Sequence, residues 1–302
     1  MTDKRVVFDF EIDFSNGGGI QGQAFRLDID GDDVEDRALA ARIIADLRLL
    51  MVDRVRILDK RIISEAHKRD RPAPAGEPAG PRHVDLSHTI ESGMITYKGL
   101  PAPVICDHLS RAASRALYAE GTEFQIGRIG MVSNTGTYID TPFHRYADGD
   151  DLSRTPLDRL AGLDGVVVGL TGQPGRAIDW TAFAPLEVRG RAVLIHTGWD
   201  RHWRTDQYFE DHPFLTEAAA RHLRDRGARL VGIDSYNIDD ITDGRRPVHT
   251  VLLGAGIPIV EHMTNLGALP AEGFIFTAAP PRITGMGTFP VRAHATLRCE
   301  PV

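Results

Sequence analysis

Cysteine is almost absent from this 302-residue chain: Cys106 and Cys299 stand alone, supplying neither the paired spacing of a zinc ribbon nor a disulfide framework. Positive charge is also short. The 35 Lys and Arg against 42 Asp and Glu leave a formal charge of −7, which argues against a grip on a nucleic-acid backbone. No apolar run is long enough to span a bilayer, and Met1 does not open a charged-then-apolar leader. These absences set the expectation of a cytoplasmic protein that binds neither nucleic acid nor membrane. What is present, 42% hydrophobic and 25% charged residues, is enough for one large core or for one core plus a small accessory unit.

Proline and glycine divide the chain. Between Asp70 and Pro81 they alternate with small residues, describing an extended and poorly packed linker. We therefore expect an accessory unit over 1–69, a linker over 70–82 and a catalytic domain over 83–302. In the first, Phe8 to Phe14 alternates apolar and acidic residues, the period of a strand with one buried face. A Gly17-Gly18-Gly19 turn and renewed alternation over Ala24 to Ile29 predict a hairpin. Leu39, Ile43, Leu47 and Leu50 fall at helical spacing over 38–51, and Val55 to Leu58 predicts a third strand, giving β-β-α-β. Asp28 to Asp33 resembles the start of a calcium loop, but Asp33 stands where Gly is needed and Leu39 where a bidentate Glu is needed. Asp32 and Asp33 are instead expected to cap the helix. The glycine run lacks the Lys and Ser/Thr of a phosphate loop.

In the larger part, Gly165 to Leu170, Ala192 to Ile195 and Arg229 to Ile233 are continuous apolar runs, suited to strands buried on both faces. They alternate with helix-like stretches such as Thr216 to Arg226. The expected fold class is α/β, with helices around a central sheet, plus a small N-terminal α+β unit.

Two segments carry the chemistry. In Ser133 to His144, Asp140 and His144 offer an oxygen and an imidazole to a divalent cation, and Pro142 between them disfavours a regular helix. Taken alone, the pair reads equally as a surface turn with a capping Asp and a solvated His. In Pro247 to Glu261, a His and a Glu bracket a compact unit. The strand from Ile257 to Val260 delivers Glu261 at its end, where an unpaired carboxylate is costly unless a cation or hydrogen bonds compensate it. An edge-strand Glu in solvent is the alternative.

From His83 onward the chain resembles the cyclase family of metal-dependent hydrolases, which includes bacterial kynurenine formamidase and isatin hydrolase. The resemblance runs through His83-Val84-Asp85-Leu86-Ser87-His88, Met94 to Pro101, Ala192 to Trp199, Val231 to Ser235, the His249 to Glu261 separation and Gly285 to Arg292. The family's His-x-Gly-Thr-His-x-Asp-x-Pro-x-His motif falls on Asn134 to His144. The resemblance implies a cyclase-family core of swivelling β/β/α type. It also implies hydrolysis of an amide, imide or ester bond, C–N preferred, in a small cyclic or aromatic substrate, and assembly as a homo-oligomer.

Two motif histidines are replaced, by Asn134 and Tyr138. An Asn carbonyl is a poor zinc ligand, and a Tyr binds only as phenolate, which needs a strongly lowered pKa. Asp140, His144, His249 and Glu261 remain as metal candidates, for one zinc or manganese ion. His144, Glu261 and Tyr138 are the catalytic candidates, and Asn134, Trp199, Asp234 and Ser235 the substrate-binding ones. Two alternatives stand beside single-metal hydrolysis. One is a metal-free acid/base cluster performing cyclisation or dehydration through Tyr138, His144 and Glu261. The other is an inactive binding subunit. His202, His212 and His222 lie in a charged region and are expected to be solvated.

Overall fold

The computed structural model of the protein describes residues 2–29, 31, 33–46, 49, 51–66 and 82–297. The linker over 70–81, Asp30, Asp32, Leu47, Leu50 and Cys299 lie outside them. The chain forms two compact units, Met1–Pro78 and Ala79–Val302.

The first unit contains β1 (Thr2–Phe14), β2 (Gly19–Ile29), α1 (Asp36–Asp46) and β3 (Val52–Ala66). They form an antiparallel sheet in the order β2-β1-β3. Alternation puts Val6, Phe8, Phe10 and Ile12 on one face of β1, where they pack with Leu39 and Ile43 of α1. Each such side chain contributes about 1.5–3 kcal/mol by burial. The third strand is far longer than Val55 to Leu58, because it pairs along nearly all of β1. The helix begins at Asp36, two residues earlier than expected, and Asp33 does not cap it. The Asp33 carboxylate instead accepts from Val34 N at 2.8 Å, and Lys60 pairs with Asp36 at 2.8 Å.

The second unit runs β4 (Arg82–Asp85), β5 (Val104–Leu109), α2 (Arg111–Ser114), β6 (Ile126–Gly130), β7 (Tyr138–Asp140), β8 (Leu163–Gly169), β9 (Ala177–Ile178) and β10 (Ala192–His196). It continues through β11 (Phe214–Leu215), α3 (Glu217–Asp225), β12 (Leu230–Ile233), α4 (Pro247–Gly254), β13 (Ile259–Glu261), β14 (Glu272–Thr277), β15 (Thr288–Pro290) and β16 (His294–Leu297). Nine of the strands make one sheet in the order β15-β7-β13-β12-β10-β8-β14-β16-β4. The central four, β8, β10, β12 and β13, are parallel, as their uninterrupted apolar runs require. Val193 and Ile195 face one core, shared with Ala219, Leu223, Val248 and Leu252 of α3 and α4. Ala192 and Leu194 face a second, filled by Ile139, Val260 and Phe274 and by connecting-segment residues such as Leu86, Leu152 and Leu160. Helices are thus few, and much of the second face is covered by irregular chain. Thr216 caps α3 by accepting from Ala219 N at 3.1 Å. No helix among the described residues is long and apolar enough to cross a membrane.

Candidate active site

The site begins as a pairing register. β7 runs antiparallel to both β13 and β15, which sets Tyr138 opposite Glu261 and Asp140 opposite both Ile259 and Thr288. Directly opposed residues share a face, and residues two apart on a strand share it as well. Tyr138, Asp140, Glu261 and Thr288 therefore gather on one side, while Ile139 turns into the core. The Tyr138 hydroxyl donates to Glu261 Oε2 at 2.7 Å, and Thr288 Oγ1 donates to Asp140 Oδ1.

A short turn, Pro142–His144, folds His144 back toward this face, with Nδ1 2.7 Å from Thr288 Oγ1. The Thr288 proton is committed to Asp140, so its oxygen accepts from His144 Nδ1–H, and the lone pair lies on Nε2. Gly287 permits the close approach. A Cβ there would lie 2.2 Å from His144 N, and the Gly287 carbonyl accepts from Thr141 N at 2.7 Å.

His249 arrives from α4, buried at 7% exposure. Asp239 holds both the helix start and the ring: its carboxylate accepts from Val248 N at 2.7 Å, His249 N at 3.1 Å and His249 Nδ1–H at 2.6 Å. This is the carboxylate–histidine arrangement that orients a metal ligand or a general base. Nε2 then faces Asp140 Oδ2 at 3.6 Å and Glu261 Oε1 at 3.8 Å. Burial pulls the His249 pKa down, but Glu261, Asp140 and Asp239 override it and hold it at about 10. The same carboxylates favour any positive charge at Nε2, a proton or a metal cation.

Asp140, His144 and His249 each present one ligand atom, all within 4.8 Å of one another. Asp140 Oδ2 is buried and has no hydrogen-bond partner among the described residues. An orphaned carboxylate oxygen beside two imidazoles fits a divalent cation. Glu261 stands outside this trio because both of its oxygens are engaged, Oε1 by Ile238 N at 2.7 Å and Oε2 by Tyr138. Burial and the neighbouring His249 act oppositely on Glu261; with Asp140 adding repulsion, its pKa is raised. Burial, then the Glu261 charge, push the Tyr138 pKa well above 10, which favours a neutral hydroxyl donor over a phenolate.

A cleft of about 300 Å³ opens over these groups, lined also by Tyr97, Asn134, Arg145, Asn237 and Arg246. Of the expected site residues, it brings together Asn134, Tyr138, His144, His249 and Glu261, with Asp140 buried beneath. Trp199, Asp234 and Ser235 do not line it. Asp234 is buried, accepting from Thr197 N at 2.8 Å, Thr197 Oγ1 at 2.6 Å and Gly198 N at 2.8 Å. Ser235 donates to the Pro213 carbonyl at 2.6 Å and Trp199 Nε1 to the Tyr208 carbonyl at 3.0 Å. These three anchor loops at the strand ends. His212 is fully buried rather than solvated, stacked edge-on to Tyr236.

Sequence reasoning missed Asp239, Asn237, Arg246 and Thr288. The first three lie in the irregular loop between β12 and α4, where no periodicity marks a residue. Thr288 was within the closing Gly-x-Pro-x-Arg-like segment, and only strand pairing shows its partner.

Comparison with known proteins agrees with this architecture. The sequence profile of the family described as "Putative cyclase" matches residues 84–240, just over half of the chain; Asp140 and His144 lie inside that span, His249 and Glu261 beyond it. Kynurenine formamidase of Geobacillus thermodenitrificans is 30% identical over 177 residues, 58% of this chain and 81% of the relative. A "predicted metal-dependent hydrolase" from Bacillus stearothermophilus superposes with a TM-score of 0.58 at 29% identity, over 73% of this chain and all of the other. Isatin hydrolase A from Labrenzia aggregata shares the fold, with a TM-score of 0.61 at 22% identity over 72% of this chain and 94% of the other. Profile, relatives and fold converge on one conclusion: the chain belongs to the cyclase family of enzymes.

Proposed function

We propose that the protein hydrolyses an amide, imide or ester bond, C–N in preference, of a small cyclic or aromatic metabolite, with one divalent metal ion held by Asp140, His144 and His249. The observation that carries this reading is the convergence of these three donors around the orphaned Asp140 Oδ2. A zinc or manganese ion held by these residues would supply Lewis-acid chemistry, making water more acidic and a carbonyl more electrophilic. Asp239 and Thr288 fix the two imidazoles so that Nε2 of each is free to act. Glu261, its pKa raised by burial, accepts a proton from the attacking water and returns it through the Tyr138 hydroxyl hydrogen-bonded to it, which gives its own proton to the departing nitrogen and takes the one held by Glu261. With Asn134 and Tyr138 in place of imidazoles, the donor set suits one cation. The resemblance to a kynurenine formamidase and an isatin hydrolase supports the C–N preference.

Metal content by inductively coupled plasma mass spectrometry, with turnover of N-formylkynurenine and isatin, tests this reading. The wild type is expected to carry about one equivalent of metal, and Asp140→Ala and His249→Ala to lose both metal and turnover while keeping a native circular dichroism spectrum. Full activity in His249→Ala refutes the site. Protein that takes up neither Zn²⁺ nor Mn²⁺ and turns over neither substrate moves the assignment to a second reading, metal-free acid/base catalysis of cyclisation or dehydration. That reading is favoured by the complete Tyr138–Glu261 and Asp239–His249 hydrogen bonds.

Assembly as a homo-oligomer in the cytoplasm belongs to the same proposal. It is supported by the hairpin of β5 and β6, where Val104, Ile126 and Ile129 are 59%, 48% and 49% exposed, and by the free, exposed Cys106. Sedimentation as a monomer at micromolar concentration removes the oligomer.

A further inference from the structure

Two guanidinium groups line the cleft, Arg145 and Arg246. Neighbouring Arg245 is ion-paired to Asp243 at 2.7 Å, but Arg246 pairs with no carboxylate among the described residues. Its half-buried side chain makes one hydrogen bond, Nη1 to Asn237 Oδ1 at 3.3 Å. The Arg145 side chain donates to the Thr250 hydroxyl at 3.3 Å and lies over the Tyr146 ring. A guanidinium carries five N–H donors in a planar fork matched to a carboxylate. Arg246 lines the cleft with one of those donors on a protein acceptor, which is unfavourable in a half-buried wall unless a ligand or water supplies more.

The backbone adds a second, independent sign. Arg246 has φ of 50°, the left-handed region that disfavours residues with a side chain, and it stands immediately before α4, where a short polar residue or glycine is usual. Strain of this kind persists where the side chain has work at a site. Its anchor is also rigid. Asn237 Oδ1 accepts from Asp239 N at 2.9 Å, and Asn237 Nδ2 donates to the Tyr97 hydroxyl, which donates onward to the Tyr236 carbonyl at 3.1 Å. One loop therefore sets both Arg246 and Asp239, the partner of His249. Charge supplies direction: Asp140 and Glu261 at the cleft floor repel an anion that the arginines attract.

We propose that Arg246, assisted by Arg145, is a carboxylate-binding subsite, and that the substrates are small amides or imides with a free carboxylate set apart from the bond that is cut. The carboxylate sits on the arginine fork, and the neutral acyl group is directed toward Glu261 and His249. The proposal rests on the hydrolase reading for the role of the cleft, and does not require the metal.

Isothermal titration of chelator-treated, full-length protein with benzoate and with uncharged benzamide separates the two, because neither turnover nor a cation enters the readout. The wild type is expected to bind benzoate roughly tenfold or more tightly than benzamide, the loss of one charge-assisted pair. Arg246→Gln abolishes that preference, and Arg246→Lys, which keeps charge without the fork, restores part of it. Arg246→Gly also abolishes it while relieving the backbone strain, so its melting temperature stays at or above that of the wild type and unfolding does not explain the loss. Equal binding of the two probes, no benzoate binding at roughly ten millimolar, or a preference retained in Arg246→Gln and Arg246→Gly overturns the subsite. If the preference holds but neither N-formylkynurenine nor isatin is turned over, the hydrolase reading fails and the subsite stands. If N-formylkynurenine, which carries such a carboxylate, is turned over at a rate indifferent to Arg246→Gln, the subsite fails alone.

Discussion

Asp239→Asn changes one buried oxygen to an amide nitrogen and removes a negative charge at nearly constant volume. In the native protein the two carboxylate oxygens receive three donors, Val248 N, His249 N and His249 Nδ1–H, at 2.7, 3.1 and 2.6 Å. An amide has one acceptor oxygen. Turned toward the ring, it leaves Val248 N facing an NH₂ group; turned toward the backbone, it sets NH₂ against Nδ1–H and drives the imidazole to the other tautomer, with its proton on Nε2. Losing a charge-assisted hydrogen bond costs about 1.5–3 kcal/mol, and the lost charge at the start of α4 removes about 0.3–1 kcal/mol more. The sum of about 2–4 kcal/mol corresponds to a fall in Tm of roughly 4–16 °C for a unit of this size. Turnover is expected to fall roughly 10- to 100-fold, the usual effect of removing a ligand's orienting partner. Thermal melting followed by circular dichroism reads the first number, and initial rates with N-formylkynurenine the second. A variant that melts within about 1 °C of the wild type and keeps its rate would show that Asp239 neither caps α4 nor orients His249.

A methyl group at Gly287 must displace the His144 backbone, 2.2 Å from where its Cβ would be built. Gly287→Ala is expected to cost about 1–3 kcal/mol through overpacking and to weaken metal uptake, checked by melting and by zinc titration; unchanged affinity would show that the turn tolerates the shift. Asp151 is held down at about 2 by the Gly285 N–H, then by Ser153 and Arg154. Because its folded-state pKa lies below its unfolded value near 3.8, its stabilisation is present above pH 4 and is lost as pH falls through 2. Asp151→Asn should flatten the melting temperature across that acid window, and an unaltered slope between pH 4 and pH 2 would rule the linkage out.

Much of the architecture was legible in sequence because burial on two faces leaves an unbroken apolar run. Val166 to Val168, Ala192 to Ile195 and Leu230 to Ile233 declared the parallel centre of the sheet in this way. The alternation over Phe8 to Phe14 declared a one-sided strand. Asp140, His144 and His249 were named in sequence only together with Glu261, through the resemblance to the cyclase family, because the spacing of Asp140 and His144 alone reads equally as a surface turn. Elements whose limits depend on a partner were not legible: β3 extends as far as β1 accompanies it, and α1 begins at Asp36 rather than at the acidic pair before it.

The sequence by itself determined the α/β class, the presence of an unusual cyclase motif carrying Asn134 and Tyr138, and the candidate donors Asp140, His144, His249 and Glu261. Tertiary structure alone decided what those donors touch. The antiparallel register of β7 with β13 and β15 gave Tyr138 to Glu261 and Thr288 to Asp140, and an irregular loop brought Asp239 under His249 and Arg246 into the cleft. Hydrogen-bond partners far apart in the chain are selected by strand register and loop path, which depend on the packing of the whole unit and leave no periodic trace in the residues themselves.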